Sequence, residues 1–184
     1  MYPAAEREAI IALIKREVIP AIGCTEPVAV SLCVARATEL LGTLPEKISV
    51  RLSANILKNA MGVGIPGTGM VGLPIAIALG AIVGKSSYRL QVLDDCTPEA
   101  VAKGREYIEQ GRISISLDKN ACDNLFVDVV CKREGHRSEA IIANQHTRLV
   151  YLCCDNNVIL DERSALSGAS VSDNENTLSL KEVF

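Results

Sequence analysis

Residues 59–84 carry no charged side chain, and this run constrains the fold more than any other feature of the sequence. Lys58 and Lys85 bracket it, and it contains seven glycines together with Pro66 and Pro74. A segment of this kind belongs either in a protein core or in a bilayer. Only residues 71–83 read as a continuous apolar helix. A helix of that length reaches about 20 Å, short of the roughly 30 Å hydrocarbon core of a membrane. The expectation is therefore a buried helix with a glycine-rich entrance, and the rest of the chain must supply elements to cover it.

The flanking segments can supply that cover. Residues 4–19 form an amphipathic pattern, with Ile10, Ile11, Leu13, Ile14 and Val18 near one face, and Pro20 and Gly23 end it. A second helix is expected from Thr25 to Leu41, with Thr25 as cap and Pro27 in the first turn. It is apolar nearly all round and should be deeply buried. Residues 47–53 alternate, with Ile48, Val50 and Leu52 on one face, as a strand does. Residues 53–61 follow as a turn or short helix, and Thr97-Pro98 introduces a helix over residues 98–110.

Beyond residue 112 the pattern changes. Residues 113–117, 125–132, 138–144 and 148–153 are β-branched or alternating runs. Asp118-Lys119-Asn120, Glu134-Gly135-His136 and Asp155-Asn156-Asn157 separate them as turn material. A meander of antiparallel strands after a block of helices predicts an α+β fold, with buried helices packed on a mostly antiparallel sheet. Residues 1–163 make up this amino-terminal domain. Residues 164–177 are rich in Ser, Asn and Gly and read as a linker, and residues 178–184 as the opening of a further domain cut short.

Net charge is −3, Trp is absent and aromatics are 3% of the chain, which disfavours a nucleic-acid partner. The amino terminus lacks the basic stub and apolar run of a signal peptide. Seven cysteines in such a chain point to a reducing, cytoplasmic setting and to roles other than disulfides.

Cys24, in the turn Gly23-Cys24-Thr25-Glu26-Pro27, is the cysteine with most chemical promise. It sits just before a helix amino terminus, where unpaired amides and the helix dipole favour a thiolate, the form that binds metal or attacks. A small buried residue is an equal reading of the same context. No C-x-x-C pair exists, Cys33 points away from Cys24 on helical spacing, and adjacent Cys153 and Cys154 face opposite sides of a strand. Cys96, Cys122 and Cys131 are scattered and read as structural.

Residues 62–72 match G-x-G-x-x-G twice, but no strand leads into them and no acid follows at the right distance. A backbone cradle for an anionic group such as a substrate carboxylate fits them better, with glycines allowing close approach and the entry to the helix supplying amides. A tightly packed loop is the rival reading. Asn55, Lys58 and Asn59 are the polar side chains next to it, and Lys58 can pair with a carboxylate or, if desolvated, act as a base. His146, one of two histidines, lies at a strand junction.

Two segments carry a family resemblance. They are Ala21-Ile22-Gly23-Cys24-Thr25-Glu26-Pro27-Val28-Ala29 and the run from Ser53 through Asn55, Lys58 and Asn59 to Gly67-Thr68-Gly69. They resemble the bacterial and archaeal L-cysteine desulfidases, a family related to the iron–sulfur L-serine dehydratases, and the likeness runs through the whole chain. The resemblance implies a carbon–sulfur lyase that eliminates sulfide and ammonia from L-cysteine to give pyruvate. It implies a [4Fe-4S] cluster on three cysteines with one iron open, and no pyridoxal cofactor.

In that resemblance Cys24 matches the first cluster ligand, and the other two cysteines lie in a carboxyl-terminal segment that this chain lacks. The fragment alone is then expected to be inactive and without its cluster. Asn55, Asn59, Gly67, Thr68 and Gly69 are expected to hold the substrate, with Lys58 and His146 as catalytic candidates. The expected partner is a small amino-acid substrate, with no nucleic acid or membrane, and a homodimer is an admissible assembly. L-serine dehydration and a non-catalytic module binding a small anion are the alternatives.

Overall fold

The computed structural model describes residues 3–18, 21, 23–119, 121 and 125–166. Helices α1 (Ala4–Glu17) and α2 (Thr25–Leu41) lead into strand β1 (Lys47–Leu52) and helix α3 (Ala54–Ala60). A small hairpin, β2 (Gly64–Ile65) and β3 (Met70–Val71), precedes α4 (Leu73–Ile82). A 3-10 turn at Ser86–Gln91 and helix α5 (Pro98–Glu109) follow. The chain then forms β4 (Ile113–Leu117), β5 (Phe126–Arg133), β6 (His136–Ala143), β7 (Leu149–Cys154) and β8 (Asn157–Asp161).

The architecture is α+β, as the sequence predicts. Six strands form one sheet in the order β4-β1-β5-β6-β7-β8. Helix α2 lies across β5, β6 and β7, α4 packs on α2, and α5 packs on α4. The alternation of β1 is realised: Ile48, Val50 and Leu52 are buried in the helix-facing core, with Lys47, Ser49 and Arg51 on the other face. Helix α4 is buried nearly all round, which is why its segment tolerates no charge.

The helices approach closely where side chains are smallest. A Cβ on Gly80 of α4 would stand 2.7 Å from the Ser31 carbonyl oxygen of α2. The buried Ser31 hydroxyl lies within donating distance of two carbonyls, Ala76 O at 2.9 Å and Pro27 O at 3.1 Å. On the far side of α4, a Cβ on Gly104 of α5 would meet the end of the Ile75 side chain at 2.9 Å.

Several expectations are corrected. β4 is not part of the antiparallel meander: it pairs with β1 in parallel, Val50 opposite Ile115, at the edge of the sheet. The long connection through α3, α4 and α5 makes the parallel pairing possible. Asn157 is not turn material but opens β8, which pairs with β7. The buried helix starts at Leu73, because residues 70–71 belong to the hairpin. Thr25 is the first residue of α2, and Cys24 is the N-cap.

Ser164 falls in a 3-10 turn, Arg163–Leu166, rather than in a linker. The rest of the expected linker, residues 178–184 and Cys122 lie outside the described residues. Among the described residues no helix is long and apolar enough to cross a membrane. Cys24, Cys33, Cys96, Cys131, Cys153 and Cys154 are free thiols. Cys33 donates to Ala140 O at 3.2 Å inside the core, and Cys154 to Leu40 O at 3.4 Å. Cys153 points to the opposite face of β7, toward the cluster of Ile141 and Tyr151.

Candidate functional site

Glu26 organises the region around Cys24. It is the one charge between Glu17 and Arg36 in the sequence, set in the first turn of an otherwise apolar helix. The Cys24 thiol donates to Glu26 Oε2 at 2.9 Å, and the Thr25 hydroxyl reaches the same oxygen at 3.3 Å. Asn59 of α3 donates through Nδ2 to Glu26 Oε1 at 3.3 Å and to Asn55 Oδ1 at 3.4 Å. The carboxylate thus ties the end of α2 to α3 across 33 positions of sequence.

The electrostatics depart from the sequence expectation. Cys24 was a candidate thiolate because of its helix terminus, yet its pKa is raised. Burial is the main cause, and the hydrogen bond to the negatively charged Glu26 adds to it. Burial and the neighbouring carboxylate together work against the thiolate that the helix terminus suggested. Glu26 responds in the complementary sense: the thiol hydrogen bond pulls its pKa down, against a smaller opposing effect of burial. Asn59 and the charge of His146 lower it further. His146, in the bend between β6 and β7, therefore stands within electrostatic reach of Glu26.

The hairpin closes one side of the site. A Cβ on Gly23 would meet Pro66 Cγ at 2.8 Å, so the turn before Cys24 and the glycine-rich loop are in direct contact. Gly23 also has φ +81°, a conformation costly for other residues. Gly23→Ala should lower stability by about 1–2 kcal/mol and speed alkylation of Cys24, as the loop is pushed off it. Urea unfolding and timed iodoacetamide labelling check both parts; an unchanged labelling rate would show that Pro66 does not shelter the thiol.

The other sequence candidates are placed less centrally. The Thr68 hydroxyl is buried in its own hairpin, donating to Ile65 O at 2.7 Å and accepting from Met70 N at 3.0 Å. Gly67 and Gly69 flank it at the exposed hairpin tip with φ +76° and +63°, and a Cβ on either would meet nothing within 4 Å. Strand β3 lies between them and the start of α4 in the chain. Asn55 and Lys58 are exposed on α3. The segment before the glycine loop is helical, so the strand that a dinucleotide-binding fingerprint requires is missing there.

The family resemblance assigns one thiol of this chain, Cys24, to a cluster. Among the described residues no group of three His, Cys, Asp or Glu side chains is placed to hold a metal ion. Cys24 fits the part of a single ligand, and the described residues do not complete a site. Glu26 is the residue at the centre of these contacts, and sequence reasoning passed over it. Its isolation as a charge in an apolar stretch was the available signal.

No family model and no solved structure matches the chain. It is 55% identical over 184 residues, all of this chain, to a UPF0597 protein of Phocaeicola vulgatus, and covers 42% of that protein. It is 56% identical over 180 residues, 98% of this chain, to one of Bacteroides fragilis, again covering 42% of the relative. A UPF0597 protein of Aeromonas salmonicida is 41% identical over 155 residues, 84% of this chain and 35% of its own length. The chain is therefore similar along nearly all of its length to UPF0597 proteins, and spans less than half the length of each.

Proposed function

We propose that this chain is the amino-terminal part of an iron–sulfur lyase that eliminates sulfide from L-cysteine, with Cys24 as one cluster ligand. The convergence of Cys24 and Asn59 on the Glu26 carboxylate carries the reading. These residues come from the two separate motifs of the desulfidase resemblance, and nothing in their local sequence requires them to meet. When bound, the cluster supplies an open iron that acts as a Lewis acid on the substrate.

The chain's own residues perform the remaining tasks. Glu26 Oε2 already receives the thiol hydrogen and is the acceptor for that proton when the sulfur engages a metal. Asn59 donates to Glu26 and Asn55, and exchanging its bond to Asn55 for one to the substrate carboxylate would place substrate beside Glu26. Lys58 and the backbone of Gly67 and Gly69 add positive potential from the exposed side. His146, close enough to feel Glu26, is the proton acceptor for Cα. Loss of that proton and of sulfide leaves an enamine, and water converts this to pyruvate and ammonia.

The experiment joins this chain to the remainder of the Phocaeicola vulgatus relative. After anaerobic reconstitution with iron and sulfide, the fusion should show cluster absorbance and release sulfide from L-cysteine. Cys24→Ala should abolish both, whereas Lys58→Met should mainly raise KM. Cluster absorbance that survives Cys24→Ala would remove the ligand assignment. Faster turnover of L-serine would make the protein a dehydratase, and anion binding without turnover would leave a binding module.

A further inference from the structure

A second site lies at the opposite end of α2 and α4 from Cys24. A cavity of about 550 Å³ opens there between the turn after α2 and helix α5. The 17 residues of α2 put the two ends roughly 25 Å apart. Leu44, Ala81 and Ile82 give the cavity an aliphatic wall. Tyr107 forms a rigid floor: it is 3% exposed, and its hydroxyl donates to Pro45 O at 2.6 Å.

The charges in this cavity are not balanced internally. The Arg112 guanidinium lies over the Tyr107 ring, 5.1 Å from its centroid, an arrangement that fixes the group without using its N–H donors. Lys103 lines the same space. Neither forms an ion pair among the described residues. Glu106, the cavity's acid, is engaged at Oε1 by the Gln110 amide at 3.0 Å.

We infer that this cavity binds a small carboxylate with a branched aliphatic tail, the carboxylate on Arg112 and Lys103 and the tail against Leu44, Ala81 and Ile82. A bare inorganic anion would leave the aliphatic wall uncovered, and a purely apolar ligand would cover the half-buried Arg112 guanidinium without meeting its donors. The volume suits a ligand of this size. Neither the cluster nor the elimination chemistry enters the argument, so this inference and the lyase reading stand or fall separately.

The test titrates this chain with 4-methyl-2-oxopentanoate, L-leucine and 4-methyl-1-pentanol, following amide chemical shifts. The oxo acid or the amino acid should bind saturably with shifts at Leu44, Ala81, Tyr107 and Arg112 and none at Cys24. The better of the two tells whether Glu106 also meets an ammonium group. The alcohol, which has the tail without the charge, should bind at least about tenfold more weakly. Arg112→Lys keeps the charge and loses the planar fork, and should weaken the carboxylate about tenfold, with the fold intact by circular dichroism. Absence of saturable shifts from either carboxylate up to about 10 mM overturns the inference, as does alcohol binding of equal strength or an indifferent Arg112→Lys variant.

Discussion

Gly80→Val should destabilise the protein by about 3 kcal/mol or more, measured by urea unfolding, because it wedges apart the α2–α4 crossing. A helix-interior glycine ordinarily costs about 1 kcal/mol relative to alanine, so propensity alone would make a larger residue welcome. The close approach reverses the sign. The first added carbon meets the Ser31 carbonyl oxygen at 2.7 Å, and backbone in the middle of a buried helix cannot step aside. Gly104→Ala is the matched control. Its Cβ meets the end of the Ile75 side chain at 2.9 Å, a group that can rotate away, so the change should be within about 1 kcal/mol of neutral. Equal effects at the two glycines would show that the contact with Ser31 is not what sets the helix spacing. The Gly80 change should also disturb the candidate site, because α2 carries Cys24 and Glu26 at its amino end.

Arg51→Met should cost about 3 kcal/mol at neutral pH, and less in acid. Asp128 of β5 has no side-chain exposure, and Arg51 of β1 binds its Oδ2 through Nε at 2.9 Å and through a second guanidinium nitrogen. The other oxygen, Oδ1, is buried with no hydrogen-bond partner. Burial raises the Asp128 pKa, and Arg51 opposes that rise without cancelling it. The folded state therefore holds this proton more tightly than the unfolded chain. The stability that goes with a raised carboxyl pKa is present in full below the unfolded value, about 3.9, and is lost as pH climbs through the folded value. Without Arg51 the folded pKa climbs further and the loss at pH 7 deepens. Water can reach the half-exposed Arg51, which holds the expected cost near the lower end for a broken buried pair. The variant should be closest to wild type near pH 4, and adding Asp128→Leu should recover most of the stability. A pH-independent deficit would locate the effect in packing and not in the stranded carboxylate.

The elements whose periodicity is set by burial were legible in the sequence. Helices α2, α4 and α5 and strand β1 fall within two residues or so of their expected places, because each buries a face or a whole perimeter. Strand β8 was not legible. Val158 and Ile159 are both about half exposed at the sheet edge, so no alternation marks it. The parallel pairing of β4 depends on where three intervening helices place the chain, which no local pattern encodes. Within the site, the turn at Cys24 was recognisable, but the state of its thiol was not. That state follows first from burial of the thiol and then from its hydrogen bond to Glu26, neither of which a local pattern encodes.

The position of β1 between β4 and β5 also bears on how the protein is made. Both neighbours of β1 lie far downstream, and the pairing of Lys47–Leu52 waits for Phe126–Arg133. On a ribosome adding about 5–20 residues per second, the early helices emerge seconds before the sheet that α2 covers. Through that interval the face of α2 that the sheet will cover has no partner, while α4 can already pack on α2 through the glycine crossing and α5 on α4. Chaperone dependence during synthesis should accordingly be greatest before residue 133 has cleared the exit tunnel, a stage that arrested nascent chains of graded length can sample.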